Sequence, residues 1–296
     1  MLRGRARKPS RRVHYDMGPL TAAPASPPVP ALTPDLLHTL CAIAGTASQE
    51  VLDVYAGALA SRAKADGSPV TEADLRADAA IRRGLATAFP GVFVLSEESV
   101  AAPSGPAPCF FLVDPLDGTK EFLQRNGEFT VNIALVEDGE PVAGVVLAPA
   151  LGQLYWGARG QGAWRRDWGP ASAGSPAMAL RVAPAGAGPL RALVSRSHRD
   201  ERVEAWLARQ PRPHTAVAAG SSLKFCRIAE GGADLYPRVG PTSPWDTAAG
   251  QCVLCCAGGT VVDFGGSPLR YDACRTGPNP DFLALGDPAW LRLLDL

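Results

Sequence analysis

Four carboxylates stand where short apolar runs give out. Glu97 follows the run 92–95, Asp114 follows the run 109–113 with Asp117 just beyond it, and Asp246 stands ahead of the small-residue stretch 247–257. Apolar runs this short, bounded by turn residues, read as strands. Glu97, Asp114 and Asp117 are therefore expected at strand ends, and Asp246 at the start of a helix. Oxygen-rich donor sets of this kind suit hard cations such as magnesium. In Asp114-Pro115-Leu116-Asp117-Gly118-Thr119, Pro115 fixes the backbone between the aspartates. That geometry can turn both side chains and the Leu116 carbonyl toward one point. Gly118 and Thr119 then open a helix through Lys120, Glu121 and Phe122, and the N–H groups of a helix start cradle phosphate. Metal and phosphate are thus expected to meet on one short segment.

Helices and strands must carry these groups. Thr33-Pro34-Asp35 has an N-cap, a first-turn proline and an acid at the positive helix end. Leu36, Leu40, Ile43, Ala44, Ala47, Val51 and Tyr55 recur behind it at helical spacing, up to Gly57. A second helix is expected from Thr71 to about Phe89, closed by Pro90-Gly91, with a short hairpin or loop over 63–70. From Phe129 to Trp164 the pattern is strand and tight turn: 131–136, the turn Asp138-Gly139, 142–147, 154–158 and 162–164. The Ala-, Gly- and Pro-rich stretch 169–189 reads as a boundary between an α+β half, 32–180, and an α/β half, 181–296. The second half predicts strands over 192–195, 234–238 and 260–263 and helices over 201–209, 221–230 and 247–257. No internal repeat is visible.

The 296 residues suit one large or two coupled domains. Apolar residues at 46% and charged residues at 20% are ordinary for a globular protein. A formal net charge of zero argues against a dedicated nucleic-acid binder, and none is expected as a partner. No apolar stretch approaches the roughly 18 residues of a membrane span. The seven cysteines are odd in number and scattered, which points to a reducing compartment rather than a disulfide framework. Cys252, Cys255 and Cys256 form a C-x-x-C-C, but no second pair or His completes a zinc site, and the surrounding small residues read as a packed helix. At the amino terminus Arg3, Arg5, Arg7, Lys8, Arg11 and Arg12 precede the first acid, Asp16. A transit peptide, a loose tail and an over-long start with Met17 as the true initiator all fit. The Pro- and Ala-rich stretch 19–30 favours a disordered tail over 1–31.

The segment 114–119 resembles the signature of the inositol monophosphatase superfamily of lithium-sensitive, metal-dependent phosphatases. Leu95-Ser96-Glu97-Glu98-Ser99 resembles its upstream acidic motif, and Trp245-Asp246-Thr247-Ala248-Ala249-Gly250 its downstream one. Within it, Lys120-Glu121-Phe122, the stretch 125–135, Ser195-Arg196-Ser197-His198, the stretch 220–226 and Leu235-Tyr236-Pro237-Arg238 are similar to the CysQ-type 3′(2′),5′-bisphosphate nucleotidase branch. The resemblance covers the chain from about Thr33 almost to its end. It implies a layered α+β / α/β sandwich of the inositol monophosphatase and fructose-1,6-bisphosphatase kind, with alternating helix and sheet layers.

The resemblance also implies a ligand set. Glu97, Asp114 and the Leu116 carbonyl would hold one Mg2+, and Asp114, Asp117 and Asp246 a second, with Asp74 touching a water or a third ion. Glu97 and Thr119 would orient and deprotonate the attacking water, with Asp74 beside them. Asp117, Gly118, Thr119, His198, Ser221, Lys224, Arg238 and Asp246 would contact substrate. The implied reaction removes the 3′-phosphate of 3′-phosphoadenosine 5′-phosphate, with 3′-phosphoadenylyl sulfate as a second substrate, in sulfur metabolism. An inositol or sugar monophosphatase is the alternative; a non-catalytic nucleotide sensor is a further one. A cytoplasmic monomer is expected, with peripheral membrane association open. Residue by residue, blander roles compete. Thr71-x-x-Asp74 also reads as a capping box, Glu98 as a solvated neighbour of Glu97, His198 as a surface histidine and Lys224 as a solvated helix charge. Lys224 and Arg238 are what favour the nucleotide, since a bisphosphate needs cations at both ends.

Overall fold

The computed structural model describes residues 29–64, 69–99, 103, 107–172, 174–196, 200–274 and 277–295. The expected tail lies almost wholly outside these residues, and so does His198. The first half runs α1 (Pro34–Tyr55), β1 (Ser61–Ala63), β2 (Pro69–Thr71), α2 (Glu72–Ala88), β3 (Phe93–Ser96), β4 (Cys109–Asp117), α3 (Thr119–Leu123), β5 (Thr130–Glu137), β6 (Glu140–Ala148), β7 (Gln153–Ala158), β8 (Gly162–Asp167) and β9 (Met178–Ala179). It continues with β10 (Leu190–Ser195), α4 (Glu201–Arg209), β11 (His214–Ala219), α5 (Leu223–Ala229), β12 (Leu235–Arg238), α6 (Ala248–Cys256), β13 (Thr260–Asp263) and β14 (Phe282–Leu285).

Local chemistry sets the element ends. Thr33 accepts the Leu36 amide at 3.2 Å, Pro34 takes the first turn of α1, and Asp35 lies at its positive end. The β5–β6 hairpin turns on Asp138 and Gly139, both at positive φ (49° and 81°), the conformation a tight two-residue hairpin demands.

Strand alternation then stacks the layers. The first sheet has the order β3-β4-β5-β6-β7-β8-β9, and the second β11-β10-β12-β14-β13. Side chains at successive positions point to opposite faces. Phe111, Val113, Ile133, Leu135, Val145 and Leu147 therefore pack on α1 and α2. Phe110, Leu112, Ala134, Val136, Val146 and Ala148 pack the other way, on α5 and α6. The second sheet divides likewise. Val261 and Ala284 join that middle layer, while Val262, Leu283 and Leu285 meet Val203, Trp206 and Leu207 of α4. The result is the expected layered sandwich, in the order helix, sheet, helix, sheet, helix. The first sheet closes at β9 and the second opens at β10, but Leu180 and the middle helices belong to one shared core.

β11 and β14 have no counterpart in the sequence reading. β11 is an edge strand whose first four residues are exposed, so it shows no apolar alternation. β14 is four residues buried on both faces, a run too short for periodicity to identify.

The middle layer has no slack. A Cβ at Gly250 of α6 would lie 2.5 Å from Cδ2 and 2.7 Å from Cγ of Phe225, whose ring is fixed by Tyr236 and Phe282 at centroid distances of 5.7 and 5.9 Å. Gly250→Ala is expected to cost about 1–3 kcal/mol by overpacking. Urea denaturation checks this, and an unchanged midpoint would show that α5 and α6 can separate freely.

Candidate metal and phosphate site

The site begins at a break in β4. Asp114 pairs with Asn132, but the register shifts before Asp117 pairs with Thr130. The shift sits at Pro115, which has no N–H for the ladder, and such irregularities re-aim side chains. The Leu116 amide donates instead to Asp114 Oδ1 at 3.0 Å. Gly118 follows at φ 90°, and a Cβ there would stand 3.2 Å from the Glu128 carbonyl oxygen, so glycine is required by both conformation and space. α3 starts immediately after it.

Glu97, Asp114 and Asp246 each bring a carboxylate oxygen within 4.8 Å of the others. Glu97 comes from the end of β3, Asp114 from β4 and Asp246 from the turn before α6. Burial pushes the Asp114 carboxyl well above the ordinary range, and Glu97, Asp117 and Asp246 push it further. Burial followed by Asp117 does the same to Asp246. Asp117 stands outside this triangle, although its charge reaches both. Its Oδ2 accepts Ser221 Oγ at 2.6 Å, the Ser222 amide at 2.6 Å and Ser222 Oγ at 2.8 Å. Buried like charges with oxygen-only donors are unstable alone and fit a hard divalent cation.

Lys64 is the cation that sequence reasoning missed. Its ammonium lies 2.6 Å from Glu97 Oε1 and 2.6 Å from Glu98 Oε1. Burial opposes its charge, but the hydrogen bonds to both glutamates outweigh that and hold its pKa above the usual value. Glu98 is thereby an ion-pair partner, not a solvated neighbour. A lone lysine ahead of Pro69-Val70-Thr71 carries no sequence signal for this role.

Asp74 serves two purposes. Its Oδ2 accepts the Thr71 amide at 2.7 Å and Thr71 Oγ1 at 2.6 Å, completing a capping box for α2. Its Oδ1 faces Thr119 Oγ1 at 3.4 Å. Burial raises its pKa against those Thr71 hydrogen bonds.

Glu97, Asp114, Leu116, Asp117, Gly118, Thr119, Ser221, Lys224, Arg238 and Asp246 all line one cleft of about 690 Å3. Within it the expected contact groups differ in how they are held. Ser221, at φ 52°, spends its hydroxyl on Asp117 and sits 2.5 Å from Thr130 Oγ1. Lys224 is buried, not solvated; it donates to the carbonyls of Ser221 at 2.7 Å and Ala219 at 3.2 Å. Arg238 donates to Ser195 Oγ and the Pro241 carbonyl, both at 2.9 Å. Arg196 and Arg202 also line the cleft, ion-paired with Glu128 and Asp200 at 2.7 Å each.

The raised carboxyls predict a pH dependence. A folded acid with raised pKa binds more protons than the unfolded chain between the two pKa values, so stability falls as pH rises through that window. Metal-free protein should therefore lose melting temperature as pH climbs above the ordinary carboxylate range. Magnesium held at one concentration, about 100 times its Kd at pH 8, should restore roughly 2.7 kcal/mol there and less near pH 5, because binding displaces protons. Thermal scans with magnesium and with chelator check both; equal gains at the two pH values would refute the linkage.

Known proteins resemble this chain over most of its length. The profile of the inositol monophosphatase family matches residues 34–283. The 3′(2′),5′-bisphosphate nucleotidase CysQ of Salmonella typhimurium is 44% identical over 251 residues, 83% of this chain and 98% of that protein. Its Escherichia coli K12 counterpart is 44% identical over 254 residues with the same coverage. The crystal structure of CysQ from Bacteroides thetaiotaomicron, a bacterial member of the inositol monophosphatase family, superposes with a TM-score of 0.75 at 35% identity, over 86% of this chain and 98% of that one. The Thermotoga maritima IMPase shares the fold, with a TM-score of 0.72 at 24% identity, over 88% and 95%. Profile, relatives and fold agree over most of the chain: it belongs to the inositol monophosphatase family.

Proposed function

We propose that this protein is a magnesium-dependent 3′(2′),5′-bisphosphate nucleotidase that hydrolyses 3′-phosphoadenosine 5′-phosphate to AMP and phosphate. 3′-Phosphoadenylyl sulfate is the second substrate. The observation that carries the reading is the polarity of the cleft. Acids gather around Asp114, and Lys224 and Arg238 line the same cleft. Among the described residues neither cation is ion-paired with a carboxylate, so both keep a full charge for an anion. A substrate with one phosphate needs cations at one end; a bisphosphate needs them at both.

Glu97, Asp114 and the Leu116 carbonyl would hold one magnesium, and Asp114, Asp117 and Asp246 the other, with Asp74 the contact for a water or a third ion. Bound ions supply charge neutralisation and a more acidic water. The chain does the rest. Thr71 occupies Asp74 Oδ2, which leaves Oδ1 to take the Thr119 hydroxyl proton. Thr119 can then accept a proton from the attacking water, together with Glu97. Gly118 and Thr119 place backbone N–H groups beside the phosphate to be cleaved. Lys224 and Arg238 hold the second phosphate, with Ser221 ordering Asp117 between them and His198, outside the described residues, at the nucleotide. Hydrolysis then needs positioning and electrostatics, with no protein nucleophile. No described helix is long and apolar enough to cross a membrane; a cytoplasmic monomer is the accompanying proposal.

Phosphate release from a panel of bisphosphate nucleotides and inositol phosphates, with and without magnesium, tests this reading. A preference for inositol 1-phosphate would overturn it in favour of an inositol monophosphatase. Lys224→Ala is expected to raise KM for the bisphosphate about tenfold or more while barely moving KM for a monophosphate; a parallel melting scan separates lost binding from lost folding. Asp117→Asn should abolish turnover, whereas full activity in that variant would favour a non-catalytic nucleotide sensor.

A further inference from the structure

The cysteines of α6 form a site that the phosphatase chemistry does not use. Cys252 and Cys256 lie one helical turn apart, and the Cys252 thiol interacts with both the Gly157 carbonyl, at 3.6 Å, and the Cys256 sulfur. The Cys252 hydrogen bond holds the Cys256 thiol below its usual pKa, against burial. Cys252 is buried and Cys256 half-buried, so the pair lies at the margin of the core. The bond to Cys256 and burial push the Cys252 thiol well above its usual pKa, against the neighbouring Arg159 charge, so a bound cation must displace its proton. Thiolates, not thiols, bind metals.

The pair is a pair and no more. Among the described residues the only trio of metal-ligating atoms within 4.8 Å of one another is Glu97, Asp114 and Asp246. Cys255, on the next position of the helix, is exposed and does not converge with the other two sulfurs to that distance. A tetrahedral zinc site needs four ligands. Two sulfurs alone select a soft cation content with few ligands.

The pair also sits on the helix that carries the metal-binding acid. Only Thr247 separates Asp246 from α6, and Tyr271 clamps the first turn by meeting Thr247 Oγ1 at 3.0 Å and Gln251 Oε1 at 2.7 Å. Behind the sulfurs α6 touches bare glycine backbone. A Cβ at Gly144 would stand 2.8 Å from Cys252 Cβ, and one at Gly157 3.1 Å from Cys256 Cβ. An ion bound to both sulfurs replaces their hydrogen bond, and with sheet backbone in close contact at Gly144 and Gly157 the adjustment falls on α6.

We propose that Cys252 and Cys256 form a two-coordinate site for a soft, thiophilic cation of the Cu(I) class, and that filling it slows turnover by displacing Asp246. Loading is a simple exchange. One Cu(I) bonds to both sulfurs, both thiol protons leave to solvent, and no electron is transferred.

The test uses the full-length protein and Cu(I) buffered by the chromophoric chelator bicinchoninate. Copper withdrawn from the chelator reports binding, and phosphate release from the bisphosphate nucleotide in magnesium reports coupling. Parent protein and Cys255→Ser should each take up one equivalent that Cys256→Ala lacks. Turnover of the loaded parent should fall about tenfold and return on adding excess chelator, while Cys256→Ala stays active throughout. Should Cys256→Ala disturb folding, Cys256→Ser, which keeps the volume and loses the soft ligand, takes its place. Equal uptake by the Cys256 variants, loss of uptake in Cys255→Ser, or unaltered turnover in the loaded parent would each overturn the proposal.

Discussion

Mutual repulsion among buried carboxylates is the constraint that the rest of this structure answers. At the 4.8 Å within which Glu97, Asp114 and Asp246 gather, two unit charges repel by roughly 3–4 kcal/mol at an effective dielectric near 20. Each acid is therefore held from outside the cluster. The Leu116 amide fixes Asp114, Lys64 fixes Glu97, and the Ser243 amide holds Asp246 Oδ2 at 2.9 Å. Three hydrogen bonds from Ser221 and Ser222 fix Asp117. The fold holds these like charges together at a cost that shows in the raised carboxyl pKa values of Asp114 and Asp246, and a hard cation between them would relieve it.

The cleft is polar along its length because its cations are paired in different ways. Arg196 and Arg202 are answered by Glu128 and Asp200. Lys224 and Arg238 are answered by backbone carbonyls and a serine hydroxyl, which satisfy their hydrogens without cancelling their charge. An ammonium has three hydrogens, and Lys224 commits two of them. The loop between β11 and α5 thus orders Lys224 and Asp117 together, so both ends of the cleft depend on one turn, at Ser221.

The middle helices transmit that dependence. α5 carries Lys224 on one side and packs Phe225 against Gly250 of α6, whose first residue follows Asp246 by two positions. α6 in turn lies directly on β6 and β7 at Gly144 and Gly157. Three close approaches without a Cβ on one side make a stack in which a shift of any layer is felt at the acids.

The sequence by itself determined the acids, their order and the layers around them. Glu97, Asp114, Asp117 and Asp246 were legible because chemistry needs oxygen donors at element ends, and element ends are marked by local signals: short apolar runs, Pro115, Gly118, the cap at Thr33. The helix of Glu201–Arg209 and the strand of Thr260–Asp263 were equally local. What only the tertiary structure decided is how those groups are used. Lys64 meets Glu97 across a gap of 33 residues, Ser222 meets Asp117 across 105, and Cys252 meets Gly157 across 95. No periodicity records such pairings. β11 and β14 escaped for the same reason: an exposed edge and a doubly buried run acquire their identity from the strands beside them. The segment 114–119 could suggest a metal site on its own, but the loops and helices brought to it in space decide which charges and hydrogen-bond donors surround its acids.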